Sequence, residues 1–205
     1  MISKTKFPAD AKTILRLFDA AGIPNACDIR PLGEGEFSAV FAVRANGKDY
    51  VLKIAPRENI PVLTYEKNMM ASEVFWYGVM REQTDIRVPE VYAVDDSHSI
   101  IPASYCIMEL LPGTPLNRAD LTPEEKTECL AELARMTARM HNVTNNRFGY
   151  PQNGLHDNWY AAIRQMTSNL LDDCRRKRSR SRRGERLLRE IDRFRAILER
   201  VPCCM

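Results

Sequence analysis

The dipeptide Asn46-Gly47 constrains this chain more tightly than any other pair of neighbours in it. It stands between residues 38–45 and 48–54, two runs rich in β-branched and aromatic side chains. Asn and Gly enter positive φ at low cost, which a two-residue type I′ turn demands, and that turn matches the twist of paired strands. The sequence therefore predicts a hairpin of fixed register: Ala45 opposite Lys48, Val43 opposite Tyr50, and Val40 opposite Lys53. Side chains alternate along a strand, so Val40, Ala42, Val51 and Lys53 share one face of the sheet. A lysine on an otherwise apolar face needs an anionic partner or a route to water.

Upstream, Gly33-Glu34-Gly35-Glu36-Phe37-Ser38-Ala39-Val40-Phe41 joins a short strand at 29–32 to this hairpin. Glycines let the backbone turn sharply and approach a ligand closely, with N–H groups free to meet phosphate oxygens. A Gly-x-Gly alone is common in β-turns, and a strand lysine alone is commonly solvated. Their joint placement is more specific. A nucleotide lying there supplies both the anion for Lys53 and apolar contact for Val40 and Val51.

The rest of the chain divides in two. A helix is predicted at 8–21, with Ile14, Leu15, Leu17 and Phe18 on one face and Gly22 after its end. Pro56 and Pro61 punctuate a loop. A helix at 65–81 carries Met69, Met70, Val74, Trp76, Tyr77 and Met80, with the methionines read as core filling. Glu66 and Glu73 fall two turns apart on roughly one face of it. Strands follow at 88–94 and 105–111, and Pro112-Gly113 ends the sheet. Beyond lies helix only. Thr122-Pro123-Glu124-Glu125 is a capping box, followed by Leu130, Leu133, Met136, Thr137 and Met140 at helical spacing to about residue 141. His141 suits a helix end, and His156-Asp157-Asn158 reads as a turn or N-cap. Two more helices are expected at 158–174 and 185–201, the second with an apolar stripe of Leu188, Ile191, Phe194, Ile197 and Leu198. The expected division is 1–111, mainly β, and 112–205, all α.

Hydrophobic content of 44% and charged content of 28% suit a globular chain with a core. No apolar run is long enough for a membrane span, and the N-terminus lacks an apolar signal segment, so a cytoplasmic protein with no membrane partner is expected. The six cysteines include no Cys-x-x-Cys and read as reduced, mostly buried thiols.

These residues resemble the aminoglycoside phosphotransferase family of small-molecule kinases, which also includes choline and fructosamine kinases and has a protein-kinase-like fold. The likeness covers nearly the whole chain. The fold it implies is α+β: a protein-kinase-like small lobe, an antiparallel sheet with a helix, then the start of an all-α large lobe. In that likeness Gly33, Gly35, Ser38 and Val40 belong to the loop that covers the nucleotide. Lys53 reaches the α- and β-phosphates, and Glu73 holds Lys53, with Glu66 in reserve. Val40 and Val51 sandwich adenine. Ile107 to Leu116 resembles the hinge, where the Glu109 carbonyl and Leu111 N–H read adenine. Residues 131–141 with Phe148-Gly149-Tyr150 resemble the first large-lobe helix. The implied cofactors are ATP and Mg²⁺, and the implied partner is a small molecule bearing a hydroxyl group.

The family's catalytic loop carries a His-Gly-Asp triplet, an asparagine soon after it and a later aspartate for Mg²⁺. None occurs in these 205 residues, so no catalytic or metal-binding residue is assigned. The chain stops about where that loop should begin. It is therefore expected to be an N-terminal portion of such a kinase, truncated before the catalytic loop and inactive alone. A nucleotide-binding, pseudokinase-like regulatory module is the alternative.

A second alternative rests on charge. The net charge is +3, yet residues 171–200 hold 12 Lys/Arg against 6 Asp/Glu, leaving 18 against 21 in the remainder. The tract Arg175-Arg176-Lys177-Arg178-Ser179-Arg180-Ser181-Arg182-Arg183 fits a polyanion contact, such as nucleic acid, or a phosphoserine site. It fits equally a solvated loop between helices, partly offset by Asp172 and Asp173.

Overall fold

The computed structural model describes residues 5–33, 37–179 and 181–203. Its chain forms two compact units, one from residues 1–61 and 87–120, the other from 62–86 and 121–205.

The first unit is an antiparallel sheet with one helix. Strands β1 (Ala26–Pro31), β2 (Ala39–Ala45), β3 (Lys48–Ile54), β4 (Val91–Asp95) and β5 (Tyr105–Glu109) lie in the order β1-β2-β3-β5-β4. The β2–β3 hairpin has the register that Asn46-Gly47 predicts, with Ala45 on Lys48, Val43 on Tyr50 and Val40 on Lys53. Asn46 and Gly47 take φ of 50° and 78°, the left-handed pair that a type I′ turn needs. Helix α1 (Ala11–Ala20) covers one sheet face. Its Asp10 cap accepts the Thr13 N–H at 2.8 Å, and Gly22 leaves the helix at φ 72°. Ile14, Leu17 and Phe18 pack there with Val43, Tyr50, Leu52, Ile54, Tyr105 and Ile107. This core uses every second residue of β2, β3 and β5, so the residues between them are committed to the opposite face.

The second unit is helical. Helix α2 (Met69–Gln83) begins four residues later than the sequence suggests, because Thr64–Glu66 forms a separate 3₁₀ turn. That turn is tied down by Asp173, whose carboxylate accepts from the Thr64 N–H and hydroxyl, each at 2.7 Å, and pairs with Arg176. Met70 and Met80 are buried, but Met69 is 40% exposed. Helix α3 (Pro123–Met140) has the predicted capping box: Thr122 Oγ1 accepts the Glu125 N–H at 3.2 Å, and Glu125 Oε2 accepts the Thr122 N–H at 2.9 Å. His141 is its C-cap residue, and Asn158 caps helix α4 (Trp159–Arg176). The apolar stripe of α3 is not a core stripe among the described residues: the helix buries no residue, and Leu130 and Leu133 are about half exposed.

Three further features differ from expectation. The single helix expected at 185–201 is two, α5 (Arg182–Arg193) and α6 (Arg195–Leu198), because Phe194 (φ −95°, ψ 15°) is non-helical between them. The basic tract is not one loop. Arg175 and Arg176 end α4, Arg182 and Arg183 open α5, and Ser181 is the α5 cap, accepting the Gly184 N–H at 3.1 Å. Finally, of the described cysteines only Cys106 is buried. Cys27 on the edge strand β1, Cys129 on α3 and Cys203 are exposed free thiols, and Cys174 is half-buried. None of the described helices is long and apolar enough to cross a membrane.

Candidate functional site

The candidate site is built on the sheet face turned away from α1. Antiparallel pairing sets Val40 beside Lys53 and Lys53 beside Cys106, and sets Ala42 beside Val51 and Val51 beside Met108. Directly opposed residues share a face, so six side chains from three strands form one wall. Val40, Val51 and Lys53 are half-buried in it, while Ala42, Cys106 and Met108 are buried. The sequence reading found Val40, Ala42, Val51 and Lys53 and missed Cys106 and Met108. The signal for those two was present: β5 pairs with β3, and the alternation of Tyr105, Ile107 and Glu109 leaves Cys106 and Met108 on the lysine side.

Beside this wall the Leu32 N–H donates to the Val40 carbonyl at 2.8 Å, joining the chain just after β1 to the start of β2. Ser38 is buried at the entry to β2. Gly33 is exposed, its φ is not positive, and a Cβ added there would meet nothing within 4 Å. Among the described residues, nothing therefore fills the space that a side chain at Gly33 would take. Glu34, Gly35 and Glu36 lie outside the described residues, so the expectation for Gly35 does too.

At the far end of β5, the Glu109 N–H donates to the Glu90 carbonyl at 2.8 Å. The Glu109 carboxylate is held by Arg87 and by the Glu90 N–H at 3.2 Å, which fixes the segment entering the expected hinge. Leu111 is 36% exposed beyond the strand end. Its N–H is in none of the backbone hydrogen bonds that the described residues make outside helices and strands.

Glu73 and Glu66 belong to the second unit. Glu73 lies on α2 and accepts a hydrogen bond from Tyr77 Oη at 2.7 Å. The Glu66 carboxylate is engaged within its own turn, where it accepts the Leu63 N–H at 2.6 Å. Among the described residues no group of three or more His, Cys, Asp or Glu stands together to hold a metal ion. These side chains therefore do not by themselves fit the Mg²⁺ that the resemblance implies.

The model of the phosphotransferase enzyme family matches residues 28–203. A Klebsiella aerogenes protein named "Probable ketoamine kinase" is 31% identical over 83 residues, which are 40% of this chain and 26% of that protein. Among solved structures, a thermostable mutant of aminoglycoside phosphotransferase APH(4)-Ia in its apo form aligns with a TM-score of 0.58 at 18% identity. The alignment covers 94% of this chain and 61% of that one. Another thermostable mutant of that enzyme, solved as a ternary complex with AMP-PNP and hygromycin B, aligns with a TM-score of 0.51 at 21% identity over 77% of this chain and 50% of that one. The chain thus spans about a quarter of the length of its curated relative and between half and two thirds of these solved chains. The fold is the α+β, protein-kinase-like fold of those structures, and the chain belongs to the phosphotransferase enzyme family.

Proposed function

We propose that these residues bind ATP on the sheet wall opposite α1, as part of an ATP-dependent phosphotransferase acting on a small-molecule hydroxyl. One observation carries this reading: a half-buried Lys53 stands on a wall whose other five members are Val40, Ala42, Val51, Cys106 and Met108. A cation beside an apolar slot matches a ligand with a flat apolar ring at one end and phosphates at the other. The family membership supports it, and so does the nucleotide analogue in a protein of the same fold. In this reading the Gly33–Ser38 loop covers the phosphates, Glu109 and Leu111 offer backbone groups to adenine, and Glu73 pairs with Lys53. The engagement of Glu66 with Leu63 favours Glu73 over it. The acceptor is an alcohol of unassigned structure: a choline, a sugar, an amino-sugar or a macrolide.

The 205 residues contain no His-Gly-Asp triplet, so the activity proposed for them alone is nucleotide binding without transfer, which is also what a pseudokinase-like module would do. The polyanion reading of the 175–183 tract is narrowed by pairing, since Arg175 and Arg176 are matched by Asp172 and Asp173.

Thermal unfolding with and without Mg-ATP tests the nucleotide site. Ligand at about 100 times its Kd adds about 2.7 kcal/mol of apparent stability, which raises Tm by several degrees. Lys53→Ala is expected to remove most of that rise, measured against the variant's own unliganded Tm. No rise at millimolar Mg-ATP, or an equal rise in the variant, overturns the assignment.

A further inference from the structure

We infer that the outer face of α5 is a contact surface for the phosphodiester backbone of a nucleic-acid duplex. The inference is independent of the nucleotide site. Arg182, Arg186, Arg189 and Arg193 recur at intervals of four, three and four residues along α5. At 100° per residue they fall within an arc of about 60°, and at 1.5 Å per residue they span about 16 Å.

The opposite side of α5 is its packed side. Ile191 is buried, Leu188 is half-buried, and Gly184 stands against Leu171 of α4. At one edge, Asp192 accepts from Tyr160 Oη at 3.0 Å and from Arg164 Nε at 2.8 Å, both on α4. The helix is thereby fixed with its arginine stripe pointing away from α4. All four arginines are exposed.

Their charge is largely unanswered by this chain. Among the described residues Arg182, Arg186 and Arg189 form no ion pair, and Arg193 meets Glu190 at 3.4 Å. Glu185 stands four residues before Arg189, a spacing that allows a pair, yet none forms. Lys177 and Arg178, between α4 and α5, are likewise without an ion pair among the described residues and extend the basic region past the start of the helix. Like charges at i,i+4 cost a helix a few tenths of a kcal/mol each, so the stripe works against the helix that carries it.

The stripe also says what kind of anion fits. Its four positions hold arginine, whose planar fork matches phosphate oxygens in pairs. Leu187 lies about 130° round the helix from the stripe centre, and the exposed Phe194 ring sits only at the stripe's end, under the Arg193 guanidinium, so the basic face carries no apolar row to insert between lipids. That ring stands 5.4 Å from the Arg193 guanidinium, while among the described residues Arg182, Arg186 and Arg189 have no ring beside them, so the stripe offers no row of rings for stacking on unpaired bases. What remains is a straight row of cations suited to a regular row of phosphates, contacted without base readout.

Fluorescence anisotropy of the full chain with a labelled mixed-sequence duplex of about 20 base pairs tests this, as DNA and as RNA, across a salt series. Binding to either duplex that weakens steeply with salt is expected, and the preferred duplex identifies the source of the phosphates. R182Q/R186Q/R189Q is expected to lower the slope of log K against log salt by about 0.9 per lost contact, roughly 3 in all. The exposed pair K12Q/R16Q on α1 is expected to leave the slope within about 1 of its original value. Circular dichroism checks that both variants keep their helix. Absence of duplex binding at low salt overturns the inference. So does an unchanged slope in the stripe variant, an equal loss in the α1 variant, or binding confined to phosphatidylserine vesicles.

Discussion

Asp173 shows how one buried charge organises a stretch of chain. It is only 2% exposed, yet it accepts from the Thr64 N–H and hydroxyl and pairs with Arg176. Burial opposes its ionisation, but the two Thr64 hydrogen bonds and the Arg176 charge outweigh burial and hold the carboxyl below its usual 3.8. A carboxyl depressed by folding contributes its stability above the unfolded value and loses it as pH falls through the folded value. The Asp173 contribution is therefore full at neutral pH, begins to fall below about pH 4 and is gone once the pH lies below the folded value. Asp173→Asn keeps the shape and one acceptor but removes the charge. It is expected to cost about 2 kcal/mol at pH 7, the scale of charge-assisted bonds lost from a buried site. Urea unfolding at pH 7 and again near pH 3 measures this. The gap between variant and parent should shrink in acid, and a gap of equal size at both pH values would count against the role.

At the scale of elements, the seating of α5 on α4 turns on a missing side chain. Gly184 has no positive φ, so its backbone does not require glycine. Space does: a Cβ there would sit 2.7 Å from Leu171 Cδ2 and 3.2 Å from Ser181 Oγ, and Leu171 is itself buried. Gly184→Val is expected to cost about 2 kcal/mol through overpacking, read as a fall in Tm by circular dichroism. Gly184→Ala should cost less, because helix propensity returns up to about 1 kcal/mol. A valine variant as stable as the parent would mean that Leu171 moves aside freely. This contact was not legible in the sequence, where nothing local signals that Gly184 meets Leu171. The hairpin was legible to the residue, because Asn46-Gly47 sets its register locally and alternation then places Val40, Val51 and Lys53 on one face. The break at Phe194 was hidden because the apolar spacing runs on through Ile197 and Leu198. The late start of α2 was hidden because its cause, Asp173, lies 109 residues from Thr64. Local chemistry wrote the sheet wall, whereas long-range hydrogen bonds and packing set the helical limits.

For the whole molecule, the two units divide the chemistry unequally. The sheet unit carries the lysine wall, and the helical unit carries most of the excess positive charge, 12 Lys/Arg against 6 Asp/Glu in residues 171–200. Phosphoryl transfer needs more than a bound nucleotide. The acceptor hydroxyl must be oriented or deprotonated, and metal ions must neutralise charge on the transferred group. In the proposed reading, Lys53 and the glycine loop that begins at Gly33 take the binding part of that task. Nothing in the 205 residues matches the His-Gly-Asp triplet, and among the described residues no cluster of three or more His, Cys, Asp or Glu could cage a metal ion. The chain is therefore expected to bind Mg-ATP and leave it intact. Incubation with radiolabelled ATP and a panel of alcohols, from choline to amino-sugars, should give transfer at the no-protein background in samples that Mg-ATP measurably stabilises. Stabilisation without turnover supports the division between binding and transfer. Sustained turnover on any acceptor would mean that a carboxylate already present, with metal held chiefly by the phosphates, performs the step that the resemblance gives to a His-Gly-Asp loop.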